Sequence, residues 1–186
     1  MTQEYPITAV LGNRGGGKTL FMTFLAVQAQ KNGKAVYSNF DLYGVDYNKI
    51  TFKELSTLPE HLNNALVLTD EMHMGADAYD FLKKDTRAFA TFATQLRKRK
   101  VYWFYTTQIF SQVAKRVRNQ TDYIISTSKV DKAGIFKLEI YDRSQAGELL
   151  DIPIKSFLFD GKPYFEYYDT NQVIQSIVND SSEKGS

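Results

Sequence analysis

The sequence predicts an α/β protein of three layers, with helices on both faces of a largely parallel sheet and a small β-rich C-terminal extension. Three observations predict it. Short, wholly apolar runs alternate with stretches whose apolar residues recur at helical spacing, as in β–α–β units around a buried parallel sheet. A glycine-rich octet, Gly12-Asn13-Arg14-Gly15-Gly16-Gly17-Lys18-Thr19, joins the first such run to the first helical stretch. After residue 130 the helical spacing gives way to the alternation expected of antiparallel strands.

Taken in order, Ile7–Leu11 reads as a buried strand and Leu20–Gln30 as a helix carrying Phe21, Phe24, Leu25 and Val27, closed by Asn32-Gly33. Lys34–Phe40 reads as a second strand. Thr51-x-x-Glu54 is a capping-box pattern for a short helix, and Pro59 interrupts the stretch after it. Ala65–Leu68 is a third strand, apolar at every position. Met72–Lys84 has no clear period and is expected to be a loop or broken helix over the site. Thr86–Lys100 is predicted helical, capped by Asp85 or Thr86, with Phe89, Phe92, Ala93 and Leu96 on one face. Val101–Tyr105 is a fourth strand, Ser111–Arg118 a short helix with Val113 and Val117 inward, and Tyr123–Ile125 a fifth strand. Ile135–Tyr141, Phe157–Phe159 and Tyr164–Tyr167 read as antiparallel strands, the last two joined at Asp160-Gly161. Residues 179–186 are polar and expected to be disordered. The sequence therefore predicts one domain over 1–178, with a core at 5–130 and an annex at 131–178.

Composition narrows the chemistry. A chain of 186 residues can bury roughly 70% of its unfolded surface as one domain. No cysteine is present, so disulfides, zinc–thiolate sites and cysteine catalysis are excluded. His61 and His73 do not share a helical register suited to a metal. Net charge is only +2, so a nucleic-acid footprint has to be local. With no signal-peptide pattern and no apolar run near the ~20 residues of a membrane span, the expectation is a soluble, intracellular protein.

The octet fits G-x-x-x-x-G-K-[ST], the phosphate-binding P-loop, in its required strand–loop–helix context. Glycines let backbone N–H groups approach phosphate oxygens through φ values that side chains forbid. Lys18 supplies a positive charge to the β/γ-phosphates, Thr19 a hydroxyl for Mg²⁺, and the helix N-terminus its dipole. Gly12 through Thr19, with Leu20, form the expected nucleotide site, for ATP with Mg²⁺. The third strand ends in Thr69-Asp70-Glu71, a Walker B arrangement in which Asp70 joins Thr19 in holding Mg²⁺ and Glu71 polarises the attacking water. A kinase has less use for such a base, so hydrolysis is expected. The fourth strand ends in Thr106-Thr107-Gln108. If it lies between the P-loop and Walker B strands, Gln108 faces the γ-phosphate.

These residues carry a resemblance. The P-loop, the Asp70-Glu71 strand, the helix ending Arg97-Lys98-Arg99-Lys100, the strand ending Thr107-Gln108 and the run Val113–Ser126 resemble the FtsK/HerA superfamily of DNA-pumping ATPases, over about residues 5–130. The chain is most like the genome-packaging ATPases of membrane-containing icosahedral viruses. It is also similar to the Zot-like ATPases of filamentous phage assembly, in Val36-Tyr37-Ser38-Asn39 and Val117-Arg118. The resemblance implies an additional-strand RecA-like P-loop NTPase core with strand order 5-1-4-3-2, and a homo-oligomeric ring, typically a hexamer, around DNA. It assigns Lys18 and Thr19 to nucleotide and Mg²⁺, Asp70 and Glu71 to Mg²⁺ and water, and Gln108 to a sensor. It also implies an arginine finger from a neighbouring subunit, for which Arg97 or Arg99 is favoured while Arg87, Arg116 and Arg118 stay open.

Arg97–Lys100 with Lys115, Arg116 and Arg118 make a local basic cluster, either a solvated helix end or a phosphate grip repeated around a ring. The leading functional expectation is a translocase that pumps double-stranded DNA into a preformed capsid, in contact with a capsid or portal-vertex protein. The alternative is a Zot-like ATPase extruding single-stranded phage DNA; such proteins usually carry a membrane span and no span is read here. A small-molecule P-loop kinase and a slow nucleotide-dependent switch are further alternatives.

Overall fold

The computed structural model describes residues 5–71, 86–143 and 152–169. The expectations for Met72–Lys84, the Asp85 cap and residues 179–186 fall outside these residues. The strands are β1 (Ile7–Leu11), β2 (Ala35–Ser38), β3 (Asn48–Lys49), β4 (Ala65–Thr69), β5 (Tyr102–Thr107), β6 (Tyr123–Lys129), β7 (Ile135–Asp142) and β8 (Lys155–Asp160). The helices are α1 (Lys18–Lys31), α2 (Phe52–Thr57), α3 (Thr86–Lys98) and α4 (Lys115–Arg118).

These eight strands form one sheet in the order β3-β2-β4-β5-β1-β6-β7-β8. From β3 to β6 the neighbours run parallel, whereas β7 and β8 are antiparallel. Numbered as the sequence predicts them, the five principal parallel strands stand in the order 5-1-4-3-2. β3, only two residues long, is an addition at the far edge.

Alternation along each strand feeds two apolar layers. Ile7, Ala9, Val67, Trp103 and Tyr105 face a core shared with Phe89, Phe92, Ala93 and Leu96 of α3, the four positions that share a helical face in the sequence. Val10, Leu66 and Leu68 face the opposite core, with Leu20, Phe21 and Met22 of α1. Burial on both faces explains why β1 and β4 are apolar throughout most of their length. Thr51 and Glu54 cap α2 reciprocally, as their spacing predicts. Asn32 closes α1 with its amide on the Gln28 carbonyl at 2.7 Å, and Gly33 follows at φ +67°.

Two elements differ from the sequence reading. Tyr164–Tyr167 is not a strand: Lys162–Tyr167 winds as a 3-10 helix with proline in its first turn, Pro163 lacking the N–H that a ladder needs. The hairpin is instead β7 with β8, in a register that pairs Phe136 with Phe159. Ser111–Arg118 is not one helix either. A 3-10 turn at Phe110–Gln112 and the single turn of α4 are separated by extended backbone at Val113 and Ala114. Val113 and Val117 nonetheless point inward and are buried.

The β-rich extension continues the sheet rather than hanging from it. Phe136, Leu138 and Phe159 sit in the α1-side core, and a Cβ on Gly17 would meet the Phe136 ring at 2.5 Å. The hairpin thus backs the loop that precedes α1.

Candidate nucleotide site

At the C-terminal end of β1 the chain leaves the sheet as the glycine octet and re-enters as α1. Gly16 donates its N–H to the Asn13 carbonyl at 2.9 Å, closing the turn. Gly17 caps the helix at φ +91°, a left-handed value that combines with the Phe136 contact to exclude any side chain. Gly12 is needed for a different reason, close approach: a Cβ there would lie 2.5 Å from the Thr127 carbonyl oxygen of β6. Asn13, Arg14 and Gly15 are exposed at the loop tip. Leu20 offers the site only its backbone, because its side chain is buried in the core.

Lys18 folds back over the loop, donating to the Gly12 carbonyl at 2.9 Å and the Asn13 carbonyl at 3.2 Å. Burial lowers its pKa from the ordinary lysine value, while the Asp70 and Glu71 charges act in the opposite direction. Lying in an anion-binding loop, this ammonium is a group whose charged form a bound phosphate would favour.

Thr19 begins the link to the second motif. Its hydroxyl donates to Asp70 Oδ2 at 2.9 Å. Asp70, at the end of β4, is 8% exposed and held from three more directions. Thr106 Oγ1 donates to Asp70 Oδ1. Asn39 Oδ1 accepts the Asp70 N–H at 2.7 Å, and Asn39 Nδ2 donates to the Asp70 carbonyl at 3.1 Å. Glu71 follows at φ +51°, its N–H donating to Thr106 Oγ1 at 2.8 Å and to Asp70 Oδ1 at 3.0 Å. A hydroxyl and a carboxylate meeting beside an anion-binding loop suit a hard cation such as Mg²⁺, which Thr19 and Asp70 would hold together with phosphate oxygens. Among the described residues no group of three or more His, Cys, Asp or Glu forms an alternative metal site.

β5 lies between β1 and β4, with Thr107 level with Leu11 and Tyr105 level with Thr69. Its end therefore falls between the two motifs, and Gln108 is exposed there. The structure brings Lys18, Thr19, Asp70 and Glu71 together, with the β5 terminus beside them. Asn39 and Thr106 complete the cluster. Asn39 closes the run Val36-Tyr37-Ser38-Asn39 that resembles the Zot-like ATPases and Thr106 stands two residues before Gln108, but neither signal assigns the residue a role.

Arg97 and Arg99 are elsewhere. Arg97 Nη2 meets Asp122 at 2.9 and 3.1 Å and donates to the Gln120 carbonyl at 3.1 Å. Asp122 also accepts the N–H of Ile7, the first residue of β1, at 2.8 Å. The pair thus lies at the start of a five-residue strand about 16 Å long, whose far end carries the P-loop. Arg99 donates to the Leu58 and Pro59 carbonyls, each at 2.8 Å. Both guanidinium groups are held by acceptors of their own chain, and neither approaches the P-loop of that chain. Arg118 likewise donates to the Val113 carbonyl at 2.9 Å. Lys98, Lys100 and Lys115 are the exposed members of the basic cluster.

No family model matches the sequence. An uncharacterized protein, ORF2, of Spiroplasma virus SpV1-R8A2 B is 30% identical over 78 residues, 40% of this chain and 23% of the viral protein. Its counterpart in Spiroplasma virus SpV1-C74 matches to the same extent. The aligned stretch thus spans under a quarter of the length of these relatives. Among solved structures, the N-terminal domain of zonular occludens toxin from Neisseria meningitidis aligns with a TM-score of 0.63 and 16% identity, over 89% of this chain and 100% of that one. A second solved structure, an isolated ATPase domain, aligns with a TM-score of 0.54 and 11% identity, over 90% of this chain and 86% of that one. At these identities the likeness concerns the fold, which is that of the P-loop ATPases.

Proposed function

We propose that the chain is an ATP-hydrolysing motor domain that acts on DNA during phage assembly, in the manner of the Zot-like ATPases. The observation that carries the reading is the unbroken link from Thr19 through Asp70 to Glu71, which joins the phosphate loop to an acidic strand end. Bound ATP with Mg²⁺ would supply the reactive phosphoryl group and neutralise its charge. Around it, Gly12–Thr19 would present N–H groups to phosphate and Lys18 would turn from the Gly12 carbonyl toward the anion. Thr19 and Asp70 would hold the metal, and Glu71 would orient and polarise water. Gln108 would report on the γ-phosphate to the end of β5.

One observation favours the Zot-like reading over capsid packaging of double-stranded DNA: this chain spans the whole of the zonular occludens toxin domain. The sequence argument against it is the lack of a membrane span. No helix among the described residues is long and apolar enough to cross a membrane, but the matching toxin structure is an N-terminal domain alone, so a span elsewhere would not bear on it. A homo-oligomeric ring with a finger in trans is part of the proposal. With Arg97, Arg99 and Arg118 each tied within their own chain, the role passes to Arg87 or Arg116.

The test is steady-state ATP hydrolysis without DNA, with single-stranded DNA and with duplex, using Lys18→Ala as the blank. Lys18-dependent turnover stimulated chiefly by single strands is expected. Stimulation chiefly by duplex would return the assignment to a packaging motor, and the absence of Lys18-dependent turnover would overturn both.

A further inference from the structure

Glu71 occupies the left-handed region at φ +51°, a conformation that a glutamate rarely adopts unaided. Its N–H is held by Thr106 Oγ1 at 2.8 Å and by Asp70 Oδ1 at 3.0 Å. Thr106 is wholly buried and belongs to the neighbouring strand β5, two residues before Gln108.

The direction of each bond follows from the chemistry of the groups. An ionised carboxylate only accepts, so the Thr106 hydroxyl proton points at Asp70 Oδ1 and an oxygen lone pair receives the Glu71 N–H. One hydroxyl therefore ties the metal-binding carboxylate and the peptide of the candidate base to the strand that ends in Gln108. Valine would fill the same volume and make neither bond, and serine would make both.

We propose that Thr106 is a positioning residue for hydrolysis, acting through Glu71. It fixes the Glu71 peptide, and with it the place from which the carboxylate addresses water. The inference rests on the hydrolytic reading above.

The experiment compares wild type, Thr106→Val, Thr106→Ser, Glu71→Gln and the Thr106→Val/Glu71→Gln double variant, by single-turnover ATP hydrolysis and by binding of a fluorescent ATP analogue. Thr106→Val is expected to lower the hydrolysis rate about 10-fold or more with nucleotide affinity within about 3-fold of wild type. Thr106→Ser is expected to recover most of the rate. In the Glu71→Gln background Thr106→Val should cause no further loss, because the group it positions is already disabled. A wild-type rate in Thr106→Val, or an undiminished further loss in the double variant, would overturn the inference and leave the hydrolytic reading standing. No Lys18-dependent turnover in wild type would overturn the two together.

Discussion

Replacing Arg97 by methionine separates a structural tie from a catalytic finger. The guanidinium makes three contacts within 3.1 Å, two to Asp122 and one to the Gln120 carbonyl. The two side chains are 19% and 20% exposed, so the pair is mostly shielded from solvent. Removing one partner from a fully buried pair costs about 3–5 kcal/mol. Residual exposure weakens the interaction, Asp122 keeps the Ile7 N–H, and methionine preserves the packing of the stem. The expected loss is about 2–3 kcal/mol, or a fall of roughly 5–10 °C in Tm for a domain of this size. Urea denaturation reads the first quantity and thermal unfolding the second. ATP turnover, measured well below the transition, should stay within about 2-fold of wild type. Refutation would be a variant of unchanged stability whose turnover collapses and no longer rises with protein concentration; Arg97 would then act on a neighbour's nucleotide.

The site itself sets the remaining expectations. Because burial lowers the Lys18 pKa and a bound phosphate favours its charged form, nucleotide binding should take up a proton at alkaline pH. The Kd should therefore rise with pH from below the ordinary lysine range, measured by titration calorimetry in buffers of different ionisation enthalpy. The same displacement means that the unfolded chain holds the Lys18 proton to higher pH, so the stability of the nucleotide-free protein should increase across that window, as urea titrations at several pH values would report. Gly17→Ala meets both the φ of +91° and the Phe136 ring and should cost about 2 kcal/mol or more. With Phe136→Ala added, the total loss in urea denaturation should be smaller than the sum of the single losses. Asn39→Leu removes both bonds to the Asp70 backbone, and the Mg²⁺ concentration for half-maximal turnover should rise roughly 10-fold.

Much of the arrangement is legible in the sequence because local pattern and global fold agree. The octet fixes β1, its turn and α1 together. The apolar runs at Ala65–Leu68 and Val101–Tyr105 can be buried on both faces only in the interior of a parallel sheet, where the structure puts them. Tyr164–Tyr167 misleads because aromatic residues favour strands, whereas Pro163 and the preceding turn decide the backbone. Arg97 and Arg99 are ambiguous in the sequence for another reason. Their acceptors are 25 and about 40 residues away in sequence, and nothing local distinguishes a guanidinium tied to Asp122 from one reaching toward a neighbour. Asn39 and Thr106 are unreadable as functional residues because their importance lies in which groups they touch across the sheet.

Whether Lys18, Thr19, Asp70 and Glu71 form a hydrolytic nucleotide site is decided by ATP binding and single-turnover hydrolysis in Glu71→Gln beside wild type. Glu71→Gln should bind ATP with Mg²⁺ as tightly as wild type and hydrolyse it at least about 100-fold more slowly. Hydrolysis at the wild-type rate in Glu71→Gln, or no binding of nucleotide to the wild-type protein, would contradict such a site.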